Sequence, residues 1–374
     1  MSNLMSRREF LKRTAQWGAF GTGALAGAQL LSACALSARH EPVLEGRGQV
    51  IYANKSLGYY FFIIQQEAMH REVEARGFEF MAAISNFNAE RQALQVRRAA
   101  MKKPVAIICD PVDSNEEFIQ VIEEVRKQGI PVGVIDTPLN KGDVSITVAF
   151  DNYKGGMMAA EKIVRLLIKK YGSPRGVVLN CYGSLSSLAW KLRKEGFERI
   201  LQRYRHIELI SKATEGDVTK MYEVTEETLR DYPNLDAVHA ASETPARGIY
   251  EALKSRKRLH PAGSVEHVIF VTIDGEPIAH EWIKEGSLDA SISQDPIAYA
   301  EICVELLDTY TIQNKPIPFK TYSNDRYYWQ EAELRPTAAG PQLVIPPFEV
   351  NQSNVNDKRH WANIALKEWG IKYV

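Results

Sequence analysis

The chain has 374 residues, enough for two domains of ordinary size after a short leader. Lysine plus arginine and aspartate plus glutamate balance at 46 each, and no long run of one charge stands out. A nucleic-acid-binding surface needs clustered basic side chains, so we expect no nucleic-acid partner.

The first 34 residues have the pattern of an export leader. Residues 6–12 read SRREFLK and residues 31–34 read LSAC. The arginine pair resembles a twin-arginine export signal, and the second motif resembles the processing site of bacterial lipoproteins. We therefore expect residues 1–33 to be a signal peptide, Cys34 to carry the lipid, and residues 34–47 to be a tether. The predicted location is the periplasm, with the protein anchored to a membrane through Cys34.

The alternative is a chance arginine pair in front of an ordinary hydrophobic segment. Residues 17–33 are too short and too weakly hydrophobic to predict a membrane-spanning helix. Two processing motifs at the expected separation favour the export interpretation over that alternative.

From residue 50 onward, short apolar strands alternate with helices. The first half predicts strands at residues 50–53, 78–84, 105–109 and 131–136, with helices at 61–76, 88–100 and 115–128. Continuous apolar strands such as residues 105–109 are typical of parallel sheets buried on both faces.

The pattern then restarts near residues 147–151. It predicts helices at 151–170, 188–204, 218–232, 246–256, 278–285 and 297–310, and strands at 176–181, 207–210, 237–240, 268–273 and 290–294. The predicted fold class is α/β, with two doubly wound lobes of similar size and parallel sheets.

Cys109, Cys181 and Cys303 lie in apolar runs at wide spacing. This spacing predicts buried thiols and no metal site, although an oxidising periplasm would permit a disulfide.

Polar side chains end several of the predicted strands, where doubly wound sheets bind their ligands. Carboxylates and a guanidinium hydrogen-bond strongly to hydroxyl groups, and aromatic rings cover the apolar face of a sugar ring. The combination suits a small neutral polyhydroxyl ligand. The candidate ligand-binding residues are Phe61, Phe62, Asp110, Asp136, Arg193, Ser242, Glu243, Asp274 and Gln294.

Each candidate has a structural alternative. Phe61 and Phe62 could belong to the core, and Arg193 could pair with Glu195 or Glu198 on its own helix. A single aspartate at a strand end is more often structural, and Asp151 and Asn115 are expected helix caps. Only the convergence of the whole set on one cleft favours binding.

The chain resembles the type I periplasmic sugar-binding proteins, the ribose- and galactose-binding group, over about residues 48–325. The segments that carry the resemblance are 59–62 (YYFF), 130–136 (IPVGVID), 151–156 (DNYKGG), 193–197 (RKEGF), 237–240 (AVHA), 246–249 (ARGI), 274–277 (DGEP) and 294–296 (QDP).

The resemblance implies that Phe62 stacks on a ring and that Asp136, Arg193, Asp274 and Gln294 hydrogen-bond sugar hydroxyls. Asp110 falls where ribose binders have asparagine.

The sequence also departs from the ribose binders. Thr137 stands where arginine is usual, Phe150 where a small hydroxyl residue is usual, and Ser242-Glu243 where Asn-Asp is usual. Gly216 falls near the place of another stacking aromatic residue. The site is therefore expected to be more acidic than a ribose site.

The resemblance also implies that the chain crosses between the lobes three times. The expected N-terminal lobe is 48–149 plus 295–323, and the expected C-terminal lobe is 150–294 plus 324–350. We expect hinges near Phe150, Gln294 and residues 322–325. Residues 351–374 form a C-terminal extension, and their aromatic side chains favour packing against a lobe.

The leading hypothesis is a solute-binding lipoprotein that delivers a sugar or sugar-like polyol to an ABC importer permease. The alternative is a sensor that docks on a membrane histidine kinase or chemoreceptor. An exported enzyme is disfavoured because the sequence contains no nucleophile elbow, zinc motif or phosphate loop. We expect no cofactor, no metal and no catalytic residue.

Overall fold

The structure is a computed structural model, and it describes residues 46–373. The predicted signal peptide, Cys34 and nearly all of the predicted tether lie outside the described residues. None of the described helices combines the length and the hydropathy needed to cross a bilayer.

The first lobe is built on an eight-stranded sheet with the order β11-β12-β13-β5-β4-β3-β1-β2. Its strands are β1 (Gln49–Asn54), β2 (Glu79–Ile84), β3 (Ala106–Cys109), β4 (Val132–Ile135), β5 (Ile146–Phe150), β11 (Thr321–Ser323), β12 (Glu331–Thr337) and β13 (Gly340–Ile345). Its helices are α1 (Tyr60–Ala75), α2 (Ala89–Met101), α3 (Glu116–Lys127) and α9 (Pro296–Leu306), which continues as a π-helical turn, Leu307–Thr311.

The second lobe is built on a six-stranded sheet with the order β14-β10-β9-β8-β6-β7. Its strands are β6 (Gly176–Tyr182), β7 (Ile207–Ala213), β8 (Ala237–Ala240), β9 (Ile269–Asp274), β10 (Ala290–Ser293) and β14 (Phe348–Val350). Its helices are α4 (Asn152–Tyr171), α5 (Leu188–Leu201), α6 (Val218–Asp231), α7 (Glu243–Ser255) and α8 (Pro277–Glu285). A short C-terminal helix, α10 (Trp361–Asn363), is followed by a second π-helical turn, Ile364–Glu368.

The predicted fold of two doubly wound α/β lobes is confirmed, with sheets that are mixed but mostly parallel. The antiparallel pairs involve the strands nearest the C-terminus: β11 pairs with β12, β12 with β13, and β14 with β10. Strand β5 was missed in the sequence, and it overlaps residues 147–151, where the pattern of strands and helices was interpreted as restarting.

The lobe assignment of residues 324–350 is wrong for most of that segment. Strand β13 runs parallel to β5, with Leu343 opposite Val148 and Ile345 opposite Phe150, so the hairpin β12–β13 belongs to the first sheet. This pairing covers the apolar edge that β5 would otherwise expose. Only β14 joins the second sheet, so the third crossing falls at residues 346–347 and not at the predicted 322–325.

Several local predictions are confirmed. The side chains of Asn115 and Asp151 cap their helices by accepting hydrogen bonds from the amides of Phe118 and Lys154. Cys109, Cys181 and Cys303 are buried free thiols.

Candidate ligand-binding cleft

A cavity of about 450 Å³ lies between the lobes, at the carboxyl ends of the parallel strands of both sheets. Lobe one contributes Lys55 after β1 and Asp136 after β4, and lobe two contributes Asp274 at the end of β9. The lobes also touch directly, because the Tyr59 hydroxyl donates to the carbonyl of Gly216 at 2.7 Å.

In lobe one, a buried lysine joins two aspartates. Lys55 Nζ lies 2.6 Å from Asp110 Oδ1 and 2.8 Å from Asp136 Oδ2, and it also donates to the Thr137 hydroxyl at 2.7 Å. Burial alone would lower the pKa of Lys55, but the two carboxylates outweigh that effect and the pKa is raised. Lys55 is therefore held as a cation within the protein.

The two aspartates respond differently to this lysine. Burial raises the pKa of Asp110 well above its ordinary value, although Lys55 and Gln65 oppose the shift. Burial would also raise the pKa of Asp136, but Lys55 and Arg193 outweigh it and the pKa is lowered. Asp136 is the charged acceptor that lobe one presents to the cavity.

In lobe two, Asp274 is the centre of a hydrogen-bond network. Its Oδ1 accepts from Arg193 Nη1 at 3.0 Å and from Gln294 Nε2 at 2.5 Å, and its Oδ2 accepts from the Ser242 hydroxyl at 2.5 Å. Tyr299 in turn donates to Gln294 Oε1 at 2.8 Å. Burial raises the pKa of Asp274, with Arg193 the main opposing influence.

Arg193 reaches this network because helices α4 and α5 pack in close contact. A Cβ atom at Gly156 would lie 2.0 Å from the Arg193 carbonyl oxygen, and one at Gly196 would lie 2.0 Å from that of Tyr153. Arg193 Nε also donates to Asn152 Oδ1 at 2.8 Å. Glycine at positions 156 and 196 therefore allows the two helices to approach, and the alternative pairing of Arg193 within its own helix is excluded.

The two facing carboxylates stand on unusual backbone. Asp136 has φ +60° and Asp274 has φ +138°, a region that residues other than glycine rarely adopt. Such conformations persist where surrounding bonds over-determine them, and they cluster at ligand sites.

Aromatic rings line both sides of the cavity. On lobe one, the ring of Phe62 lies 5.6 Å from that of Tyr59 and 5.9 Å from that of Phe87. On lobe two, the indole of Trp190 fills space left by Gly183 and Gly216, where a Cβ atom would lie 2.2 and 2.4 Å from it. Charged hydrogen-bonding groups between aromatic faces can hold a compact ligand with many hydroxyl groups.

Residues 50–315, well over half of the chain, match the periplasmic binding protein domain. The chain belongs to this family.

Curated relatives cover most of this periplasmic binding protein. The ribose import binding protein of Salmonella typhimurium is 27% identical over 281 residues, which are 75% of this chain and 90% of the relative. The D-apiose import binding protein of Actinobacillus succinogenes is 26% identical over 253 residues, 67% of this chain and 77% of the relative.

Solved structures support the fold. A solute-binding protein from Bacillus halodurans with bound myo-inositol superposes with a TM-score of 0.70 at 22% identity, covering 84% of this chain and 98% of that one. A carbohydrate transporter protein from Agrobacterium radiobacter in complex with D-arabinose gives 0.72 at 15% identity, covering 86% and 99%. At these identities the likeness concerns the fold alone.

Seven of the nine candidate residues of this periplasmic binding protein line the cavity. They are Phe61, Phe62, Asp136, Arg193, Ser242, Asp274 and Gln294.

The other two candidates, Asp110 and Glu243, do not line the cavity. Asp110 is fully buried behind Lys55 and Gln65. The Glu243 carboxylate turns into lobe two, where it accepts from the hydroxyls of Thr272 and Ser291 and from the amide of Glu276. The structure therefore does not bring these two carboxylates to the cavity with the other seven candidates.

Lys55 and Trp190 were missed in the sequence. Lys55 bonds to both Asp136 and Thr137, so it supplies a cation beside the position where ribose binders have arginine. Trp190 lies beside Gly216, where the sequence lacks the second stacking aromatic residue. Trp190 precedes Arg193 by three residues on one helix, and that spacing places both on one face.

Proposed function

We propose that this chain is an extracytoplasmic solute-binding protein that holds a sugar or sugar-like polyol between its lobes and delivers it to an ABC importer. The observation that carries the proposal is the meeting of two buried ion pairs, Lys55–Asp136 and Arg193–Asp274, in one cavity with Phe62 and Trp190. The import functions of the ribose and apiose relatives support it.

The charge of the lining disfavours an anionic ligand. The carboxylates that line the cavity are Asp136, Glu215, Asp217 and Asp274, whereas the cations are Lys55 and Arg193. An anionic sugar would therefore meet net repulsion in a partly desolvated site.

A thermal-shift panel tests the proposal. We expect at least one of D-ribose, D-allose, D-xylose, D-apiose, D-arabinose and myo-inositol to raise the melting temperature. A ligand at 100 times its dissociation constant adds about 2.7 kcal/mol to the free energy of unfolding. D-ribose 5-phosphate and D-glucuronate are the charged controls, and they should give no shift. Stabilisation by the anions and by none of the neutral sugars would contradict the proposal.

We also propose that the protein is held at the membrane through lipid on Cys34. A single acyl chain binds a bilayer only marginally, whereas several chains on one cysteine anchor a protein stably. Tethering would keep the loaded protein at a high effective concentration near its permease.

Replacing Cys34 tests the anchor. In cells that express the full chain, Cys34→Ser should move the protein from the membrane fraction to the soluble periplasmic fraction, because the acylated thiol is lost. Ser37→Ala, in the proposed tether, is the matched control and should leave the protein with the membranes. Retention of the Cys34→Ser protein in the membrane fraction would rule out the lipid anchor.

A further inference from the structure

The C-terminal segment 355–373 contacts both lobes. It follows β14, the edge strand of lobe two, and α10 packs beside α8 of the same lobe. Its last residues return to α1 of lobe one. The chain therefore makes a further connection between the lobes, in addition to the three covalent crossings.

Trp361 is the buried centre of this segment. Its side chain is 0% exposed, and its indole Nε1 donates to the carbonyl oxygen of Asp274 at 3.0 Å. The ring also meets the edge of Phe61 at 5.7 Å between centroids and lies 6.1 Å from Tyr60. One side chain thus touches the ligand-facing loop of lobe two and the aromatic start of α1 in lobe one.

Three further contacts tie the end of the segment to lobe one. The Tyr60 hydroxyl donates to the carbonyl oxygen of Ile371 at 2.7 Å, and the rings of Tyr60 and Tyr373 lie 4.9 Å apart. The guanidinium of Arg71 lies 4.7 Å from the ring of Trp369.

Tyr373 also holds lobe two. Its hydroxyl donates to Glu276 Oε2 at 3.1 Å, and the guanidinium of Arg247 lies 4.9 Å from its ring. Glu276 is two residues after Asp274, so the segment holds both ends of the loop that carries the ligand-facing carboxylate.

The lobe-one end of these contacts lies at the cleft. Tyr59, the residue before Tyr60, bonds to Gly216 across the cleft. When the lobes separate, this end of α1 moves away from lobe two. A segment that contacts both lobes must then either lose its contacts with one of them or restrain the separation.

We propose that residues 355–373 form a C-terminal strap that favours the closed arrangement of the lobes, with Trp361 positioning the Asp274 loop against Phe61. The inference rests on the proposed function, in which the ligand is held between the lobes, and it adds that the two lobes close on the ligand about a hinge. A contact made only in the closed form lowers the free energy of that form. Losing the contact therefore raises the ratio of open to closed protein, by a factor of about ten for each 1.4 kcal/mol that the contact contributed.

The test measures the lobe separation without ligand, so its outcome does not depend on which sugar binds. In a Cys34→Ser background, spin labels are placed at Glu117→Cys on α3 and Lys220→Cys on α6, both exposed. The native cysteines that remain are buried. Pulsed dipolar spectroscopy then reports the distance distribution between the lobes.

The decisive variant is Trp369→Ala/Tyr373→Ala. The matched control is Lys358→Ala/Lys372→Ala, two exposed positions of the same strap. We expect the double aromatic variant to raise the ratio of open to closed protein by about tenfold or more, as loss of one net hydrogen bond of about 1.4 kcal/mol would do. The lysine control should match the wild type.

An unchanged distance distribution in the aromatic variant would overturn the proposal, as would an equal shift in the lysine control. If the aromatic variant fails to unfold cooperatively, Tyr60→Phe decides the question, because it removes only the hydroxyl that bonds to Ile371. A larger open population in Tyr60→Phe supports the strap, and a wild-type distribution overturns it.

Discussion

Lys55→Met should destabilise the protein by about 3–5 kcal/mol, because it leaves buried carboxylates without their cation. Asp110 and Asp136 both lie within 2.8 Å of Lys55 Nζ, and all three side chains are buried. Methionine keeps most of the apolar volume of the lysine stem, so the loss reports charge and hydrogen bonding and not a cavity. Chemical denaturation of the ligand-free protein at pH 7 measures it.

Lys141→Met is the matched control. Lys141 Nζ lies 2.6 Å from Glu116 Oε2, as close as the buried pair, but the two side chains are 55% and 60% exposed. Exposed pairs of this kind contribute little because water screens them. Equal losses in the two variants would show that Lys55 does not hold the buried carboxylates together.

The difference in free energy of unfolding between the wild type and Lys55→Met should shrink as the pH falls from 7 to 4. Burial would raise the pKa of Asp136, but Lys55 and Arg193 lower it, so Asp136 contributes stability above its unfolded pKa of about 3.9. The wild type keeps that contribution down to about pH 4 and loses it only at lower pH, as the pH falls through the folded pKa. In the variant only Arg193 opposes burial, so the pKa of Asp136 is higher than in the wild type, and protonation as the pH falls relieves the buried charge.

Asp110 acts in the same direction. Burial raises the pKa of Asp110, although Lys55 opposes this shift. A carboxyl whose pKa is raised in the folded state makes the protein less stable as the pH rises. Removing Lys55 raises this pKa further. The variant is therefore expected to be furthest below the wild type at neutral pH, and a pH-independent deficit would contradict the charge argument.

The cleft residues at the ends of strands could be predicted because each apolar run in the sequence is followed directly by a polar residue. Asp136 and Asp274 each follow a buried run, and the carboxyl ends of parallel strands meet at one edge. The same rule misplaced Glu243, which is the first residue of helix α7 and turns inward to Ser291 and the Glu276 amide. Periodicity gives the end of a strand but not the direction of the next side chain.

Lys55 and Trp190 could not be assigned by the same reasoning. A lysine just after a strand is typical of an exposed loop, and its burial depends on carboxylates 55 and 81 residues further along the chain. Trp190 depends on two glycines that leave room for its ring, Gly183 shortly before it in the chain and the more distant Gly216. The carboxylate partners of Lys55 have no local signature, whereas the three-residue spacing between Trp190 and Arg193 was the one local signal for Trp190.

The hairpin β12–β13 was missed for a different reason. Pro336 and Pro341 face each other in it, and prolines break the alternating pattern that predicts strands. The pairing is decided by the edge of β5, along which β13 lies with Leu343 and Ile345 in register. The position of the third crossing followed from that pairing and could not be read from composition.

Arg193→Met should abolish ligand-induced stabilisation and also lower the free energy of unfolding by about 3–5 kcal/mol. Arg193 Nη1 donates to Asp274 Oδ1 at 3.0 Å and to the carbonyl oxygen of Ala241 at 2.7 Å, and both charged side chains are buried. The variant removes a cavity-lining donor and leaves the Asp274 carboxylate without its cation.

The double variant Arg193→Met/Asp274→Asn separates the two losses. Neutralising Asp274 removes the uncompensated charge, so part of the lost stability should return. Ligand-induced stabilisation should not return, because the guanidinium donor and the carboxylate acceptor are then both absent from the cavity. Thermal shifts with the sugar that stabilises the wild type most, together with denaturation of the ligand-free proteins, measure both quantities.

Arg199→Met controls for the substitution itself, because Arg199 lies on the same helix with its side chain exposed. It should retain both the ligand shift and the stability of the wild type. A wild-type ligand shift in Arg193→Met would remove Arg193 from the site. Arg193 bonds directly to Asp274, and Gln294 bonds to the same carboxylate oxygen, so the assignment of lobe two as a ligand-binding face would then fail with it.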